Sequence, residues 1–393
     1  MNIKKLIWIT SAVVLAVAGL WVAFTYLMWS LPAKPETHEI ALADLDGDGD
    51  LDAFLANGRN EMAEPNTVLL NDGMGNFQDS GQLLGNFESW DVVLEDFDND
   101  GDMDALVSNI SWGEYFWNEG NGTFPQSQSI DFPDSSGLLI GLWRFQTADL
   151  NNDGLIDLFL NGCCGGGFFG PDRFQTINAH NTIWLNEEGG LPRPTGQEMG
   201  LGGSEAVALG DLDGDGDLDA FVANAAHLDD NMEPVDFDPN EVWLNDGAGG
   251  FTDTLQRLGA QRSYSIALGD IDGDGDVDAI VGNLGADEIW VNNGQGIFTD
   301  SGQKLGDSIT RWLFLADLDD DGDLDAFVGS DTVGRIWLNN GQGIFKVTAQ
   351  RLNYSWSHAV TLGDLDGNGT VDVIAGKLNT ARVWHNDGTG RMK

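Results

Sequence analysis

One acidic nonapeptide occurs seven times in this chain, and that repetition limits the fold more than any other feature. The copies are DLDGDGDLD (44–52), DFDNDGDMD (96–104), DLNNDGLID (149–157), DLDGDGDLD (211–219), DIDGDGDVD (270–278), DLDDDGDLD (317–325) and DLDGNGTVD (364–372), with first residues 52, 53, 62, 59, 47 and 47 apart. A short apolar run precedes each copy, as in EIALA, DVVLE, AVALG and SIALG, and another follows, as in AFLAN, ALVSN, AFVAN and AIVGN. Runs of this length between turns read as strands and are too short for helices. A third recurring piece (VLLND, YFWNE, IWLNE, VWLND, IWVNN, IWLNN, VWHND) leads in most copies into a Gly-rich turn and a Phe, the pattern of a tight hairpin. Each unit therefore holds four strands, A to D. The acidic loop joins A to B, and the Asn-Gly type of turn joins C to D. Seven such antiparallel sheets of roughly 40 to 50 residues predict an all-β, seven-bladed β-propeller over residues 34–393.

Like charge packed this densely needs a counterion. Two carboxylates ~5 Å apart repel by ~1 kcal/mol at the dielectric of water and by ~3 kcal/mol at an effective value of 20. Four ligands make six such pairs, so each loop is expected to be strained or mobile without a cation. Oxygen donors at alternate positions suit a hard cation of calcium's size. Positions 1, 3, 5 and 9 of the motif are Asp or Asn in every copy. The predicted ligands are Asp44, Asp46, Asp48 and Asp52; Asp96, Asp98, Asp100 and Asp104; Asp149, Asn151, Asp153 and Asp157; Asp211, Asp213, Asp215 and Asp219; Asp270, Asp272, Asp274 and Asp278; Asp317, Asp319, Asp321 and Asp325; and Asp364, Asp366, Asn368 and Asp372. Up to seven structural calcium ions follow. The loops with Asn151 and Asn368 are expected to bind more weakly. Position 6 is Gly throughout, as a sharp turn around an ion requires. Position 7 varies, as expected where only its backbone carbonyl faces the ion. Magnesium suits the pattern less, because it favours a compact octahedron that keeps several waters. An EF-hand is excluded, since it needs an acid at position 12, where this chain has Leu55, Val107, Leu160, Val222, Val281, Val328 and Ala375.

Acids outnumber bases 64 to 18, which argues against nucleic acid as a partner because phosphate binding needs clustered Lys and Arg. Residues 6–33 carry no charge and follow Lys4 and Lys5. A run of that length can span a bilayer, with the lysines kept on the cytoplasmic side. A signal anchor over 1–33 is expected, with a cleavable signal peptide as the alternative. Either one exports the propeller, as a membrane-anchored domain facing the periplasm or cell surface or as a secreted one. The two cysteines, Cys163 and Cys164, are adjacent. A vicinal disulfide and two free thiols both remain open.

The motif DxDxDGxxD between two apolar strands resembles the FG-GAP/VCBS repeat family, the calcium-loop propellers found in the head of integrin α chains, and all seven copies match it once Asn151 and Asn368 are allowed in place of Asp. The resemblance implies a propeller with calcium loops over nearly everything after residue 38. It leaves function open, because members include adhesion receptors, seven-bladed fungal lectins and enzymes that carry the repeats as accessory parts. Strand direction alternates within a blade, so every acidic loop falls on one face and the B–C and D–A connections fall on the other. The B–C connections are long at 58–67, 162–182 and 225–240. Six residues before each first loop Asp stand His38, Trp90, Trp143, Glu205, Tyr264, Arg311 and His358, a ring on the second face suited to sugar stacking or protein contact, with packing between blades as the equally open reading of its aromatics. The strand-C tryptophans Trp184, Trp243, Trp290, Trp337 and Trp384 read as blade packing. None of the five His sits in a nucleophile or zinc motif, so no enzyme activity is expected. The chain is expected to be a cell-surface interaction module for an extracellular protein or polysaccharide. A calcium-dependent lectin, or less readily a polysaccharide-degrading enzyme, is the alternative. Residues 33–39 are expected to complete the last blade, because the last copy ends at GTGRMK, too short for a full strand D.

Overall fold

Strand B of every repeat is buried along its length, and its alternation builds the ring. The computed structural model describes residues 36–58, 64–109, 112–132, 142–162, 180–186, 191–200, 203–224, 226–228, 234–354, 359–377 and 380–393. The expected N-terminal anchor, Cys163, Cys164 and His358 fall outside the described residues, as does the side chain of Trp143. Successive side chains on a strand face opposite ways. In blade one Ala53 and Leu55 enter one core cluster with Ala359, Leu365 and Ile374 of blade seven, whereas Phe54 and Ala56 enter another with Val92, Ala105 and Val107 of blade two. The same division recurs around the ring. Position 11 of each repeat (Phe54, Leu106, Phe159, Phe221, Ile280, Phe327, Ile374) packs toward the following blade, and positions 10 and 12 pack toward the preceding one. This two-sided burial is why the strands read as continuous apolar runs. The seven clusters, one per junction, are the core of the protein.

Each blade is an antiparallel sheet laid down in chain order. Blade four is representative, with A at Ser204–Gly210, B at Asp219–Asn224, C at Glu241–Asn245 and D at Phe251–Asp253. Its long B–C connection carries a separate hairpin, Ala226–Leu228 with Pro234–Phe237. In blade five the B–C connection is so short that both strands merge into Asp278–Val291. The strand-C tryptophans pack as expected: Trp184, Trp290 and Trp384 are buried at blade junctions, and Trp243 and Trp337 lie against two others.

Ring closure differs from the sequence expectation. Glu36–Ala43 is strand A of blade one, paired from Glu36↔Gly58 to Ala43↔Asp52, and does not complete blade seven. The C-terminal segment closes its own sheet. The positive-φ residues Gly388 and Gly390 reverse the chain, His385 N donates to Lys393 O (3.1 Å), and Lys393 N returns a bond to His385 O (2.8 Å). Six residues suffice because the outer strand needs only two or three paired positions, as in blade four. Closure between blades seven and one rests on side-chain packing rather than on strand exchange.

One turn carries visible strain. Leu255 has φ 62° and is 77% exposed. The equivalent turn positions in blades one and five are Gly81 (φ 77°) and Gly302 (φ 78°). A left-handed conformation costs a non-Gly residue about 1–2 kcal/mol, and the exposed Leu side chain recovers little by burial. Leu255→Gly is expected to raise stability by about 1 kcal/mol. A melting temperature that is unchanged or lower would show that the turn is not strained.

Candidate metal centres and the opposite face

Each acidic loop is shaped by two backbone positions. Position 6 has φ between 85° and 99° in all seven copies, and no heavy atom lies within 4 Å of a Cβ built there. Glycine is therefore required by conformation and not by crowding. Position 4 is left-handed throughout: Gly47, Asn99, Asn152, Gly214, Gly273, Asp320 and Gly367 have φ from 59° to 80°. Sequence reasoning passed over position 4, although its restriction to Gly, Asn and Asp marks a left-handed site.

That backbone points its N–H groups at the loop carboxylates. In the fourth loop Asp211 accepts from Gly214 N (2.8 Å) and Gly216 N (3.2 Å). Asp213 accepts from Asp215 N (3.3 Å), and Asp215 from Asp217 N (3.0 Å). The loop thus partly offsets its own repulsion and holds the carboxylates on one side. Asp44, Asp46 and Asp48 converge, as do Asp96, Asp98 and Asp104, Asp211, Asp213 and Asp219, and Asp270, Asp272 and Asp278, each residue offering an oxygen within 4.8 Å of the others. Asp319 Oδ1 is buried with no hydrogen-bond partner. A buried carboxylate oxygen without a donor is costly, and a hard cation is the partner that all-oxygen sets fit. These clusters can hold metal ions. Asn151 is turned onto its own loop, where its Nδ2 donates to Asp153 Oδ2 (3.1 Å).

Position 9 does more than the sequence indicated. Asp219 is fully buried, its Oδ2 accepting from Leu212 N (2.9 Å) and its Oδ1 from Asn245 N (2.8 Å). Burial pushes this carboxyl up to about 6, against the pull of those two bonds. Asp52, Asp157, Asp278 and Asp325 are likewise pushed up to about 6, and Asp104 to about 7, burial again being the first cause. The position-3 residues Asp46, Asp98, Asp213, Asp272 and Asp319 are also raised, by desolvation first and by their like-charged neighbour at position 5 second.

The same network fastens blade to blade. The strand-C Asn that donates its N–H to position 9 also donates Nδ2 to the position-2 carbonyl of the preceding loop: Asn118 to Leu45, Asn245 to Leu150, Asn292 to Leu212, Asn339 to Ile271 and Asn386 to Leu318, at 2.7–2.9 Å. Asn71 donates to Leu365 O (2.9 Å) across the closure of the ring. A second fastener is Gln82, Gln256, Gln303 and Gln350. Each gives Nε2 to a carbonyl and takes a backbone N–H of the next blade's C–D segment, as with Gln256 to Gly296 O (2.6 Å) and Phe298 N to Gln256 (2.8 Å). Neither device was singled out from the sequence, though the Asn recurs in all seven copies and GQLLG, LQRLG and GQKLG share their Gln.

On the opposite face, the predicted ring sits at a recurrent irregularity. Strand A shifts register around His38, Trp90, Glu205 and Tyr264, and bulges re-aim side chains. The His38 and Trp90 rings lie 4.3 Å apart between centroids, tilted by 33°. Arg262 bonds Glu205 (2.6 Å), the Arg262 and Arg311 guanidinium groups lie 4.9 and 4.7 Å from the Tyr264 ring centre, and Arg311 pairs with Asp331 (3.2 Å). Tyr264 is buried beneath these cations, so of the two roles open to it from the sequence, stacking surface or packing residue, it takes the packed one. Arg262 and Asp331 are partners the sequence reading missed. The inner strands line a cavity of about 400 Å3 that includes Glu39, Asp91, Arg144 and Arg311 in its wall. Burial pushes Glu39 up to about 7, with Arg144 opposing at 3.7 Å. Asp91 is raised by burial as well.

The FG-GAP-like repeat model matches residues 44–107, 96–160, 270–328 and 317–375. Each match runs from the first residue of one loop to position 12 of the next. No curated protein matches the chain. Among solved structures, an Agrocybe aegerita lectin described by its specific recognition of non-reducing terminal N-acetylglucosamine is similar at 19% identity and TM-score 0.52, covering 88% of this chain and 86% of that one. BBS1N, solved in complex with ARL6DN, is similar at 11% identity and TM-score 0.57, covering 91% and 94%. At these identities the likeness is one of fold.

Proposed function

Because this chain belongs to the FG-GAP-like repeat family, we propose that it is a calcium-stabilised interaction platform, exported through its N-terminal segment. The observation that carries this reading is a division of labour between the two faces. One face is committed to acidic loops and the bonds that fasten blades together. The other carries the re-aimed ring and its Glu205–Arg262–Tyr264–Arg311–Asp331 array. Calcium would be held by positions 1, 3, 5 and 9 of the oxygen-only loops, where it supplies the charge that the clustered carboxylates lack. The partner is an extracellular protein or a glycan. The lectin among the similar structures adds weight to the glycan reading without deciding it. The role is non-catalytic, the recurrent carboxylates being committed to the loops.

The test applies the calcium-loaded full chain to an array of extracellular glycans and to cross-linking on cell-surface protein, each with and without EDTA. Retention on either is expected to need calcium. It is expected to fall at least about tenfold in an Arg262→Ala, Arg311→Ala double variant, the scale of losing charge-assisted contacts, with melting unchanged. Binding to neither, or binding indifferent to both changes, would end this reading.

A further inference from the structure

We propose that the seventh loop is a nitrogen-containing site for a borderline divalent metal of the zinc class, distinct from the oxygen-only loops. The residue before the strand-C Asn is Leu70, Trp117, Leu185, Leu244, Val291 or Leu338 in six blades and His385 in the seventh. In blades one, three, four and six that Leu packs toward a C–D turn glycine of the following blade. His385 takes the corresponding place against Gly75 of blade one and turns its Nδ1 back to its own loop. That nitrogen lies 3.3 Å from Asp366 Oδ2 and 3.3 Å from Asp372 Oδ2, and a donor atom from each of the three residues lies within 4.8 Å of the others.

The distances favour a shared ion over an ion pair. A charge-assisted N–H···O bond is about 2.7–2.9 Å long, and a single N–H cannot point at two oxygens well. Two bonds of about 2.0–2.1 Å at a tetrahedral angle end about 3.4 Å apart, close to both separations here. The loop has also shed hard anionic oxygen, with Asn368 at position 5 and Thr370 at position 7. Asn368 Oδ1 is taken by Thr370 N (2.7 Å) and Thr370 Oγ1 (2.6 Å). Fewer carboxylates weaken the hold on calcium, while imidazole suits zinc, copper and nickel. Asp372 is fully buried and fixed by Leu365 N (3.1 Å) and Asn386 N (2.7 Å), the outer-shell support that orients a ligand. The site rests on reading the loops as metal centres, but not on calcium filling the other six.

The test uses the full chain stripped with EDTA and dialysed, then titrated with Co2+ as a spectroscopic stand-in for zinc. One equivalent is expected to give the visible absorption of low-coordinate cobalt. Zn2+ should abolish that band, and a hundredfold excess of Ca2+ should leave it. His385→Leu installs the residue found in four other blades and so is expected to melt as the parent does. It should lose the band and bind Zn2+ at least about tenfold more weakly. No band in the parent, a band that persists in His385→Leu, or displacement by Ca2+ would overturn the proposal. Calcium titration of His385→Leu reports on the other six loops separately, so failure there is a different result.

Discussion

Asp219→Ala is expected to cost the metal-free protein about 2–6 kcal/mol, whereas Asp215→Ala, four residues earlier in the same motif, costs less than about 1 kcal/mol. Asp219 is fully buried, and two backbone donors end on it, Leu212 N at 2.9 Å and Asn245 N at 2.8 Å. Alanine leaves both without an acceptor where water cannot reach, and each such group costs about 1–3 kcal/mol. The damage also crosses a blade junction, because Asn245 holds Leu150 O of blade three at 2.9 Å through the same side chain. Asp215 is exposed and accepts one local bond, from Asp217 N, which water can replace. Urea denaturation in the presence of EDTA measures both variants free of any metal contribution. Equal losses at the two positions would mean that position 9 is a ligand and nothing more.

Calcium is expected to raise the melting temperature by on the order of 10 °C or more at pH 7.5, and by much less at pH 5. At a free concentration of a hundred times Kd, each site adds about 2.7 kcal/mol, and several sites act together. The pH dependence follows from the raised position-9 carboxyls, at about 6 for Asp52, Asp157, Asp219, Asp278 and Asp325 and about 7 for Asp104. Between roughly pH 4 and 7 the folded metal-free chain holds more protons than the unfolded one. Its stability is therefore greatest below that window and is lost as pH rises through it. Self-repulsion at a formal charge of -46 acts in the same direction. Bound calcium needs these groups as carboxylates, so its stabilisation grows with pH across the same window. Melting curves at the two pH values, with calcium and with EDTA, should slope in opposite senses. Parallel slopes would contradict a metal held by these residues.

The repeat made most of this legible. Four strands per unit, the loop between A and B, and the packed strand-C tryptophans all follow from apolar period and turn chemistry, because strand B meets a neighbour on both sides. The closing of the ring was not legible. Nothing in GTGRMK shows that two left-handed glycines bring Lys393 back to His385, and without that return the last sheet lacks an outer strand. The double duty of Asp219 and the reach of Asn245 into blade three are contacts between residues far apart in sequence, which local pattern cannot supply. On the second face, positions are legible from the repeat but neighbours are not. Tyr264 reads equally as a stacking surface or a packing residue until Arg262 and Arg311 are seen over it.

Calorimetric titration of the EDTA-stripped full chain with Ca2+ tests the central claim most directly. Several equivalents should bind, up to seven, with the loops carrying Asn151 and Asn368 weakest, and the melting temperature should climb as they fill. A chain that takes up no calcium and melts at the same temperature throughout the titration would show that these loops hold their carboxylates together without it.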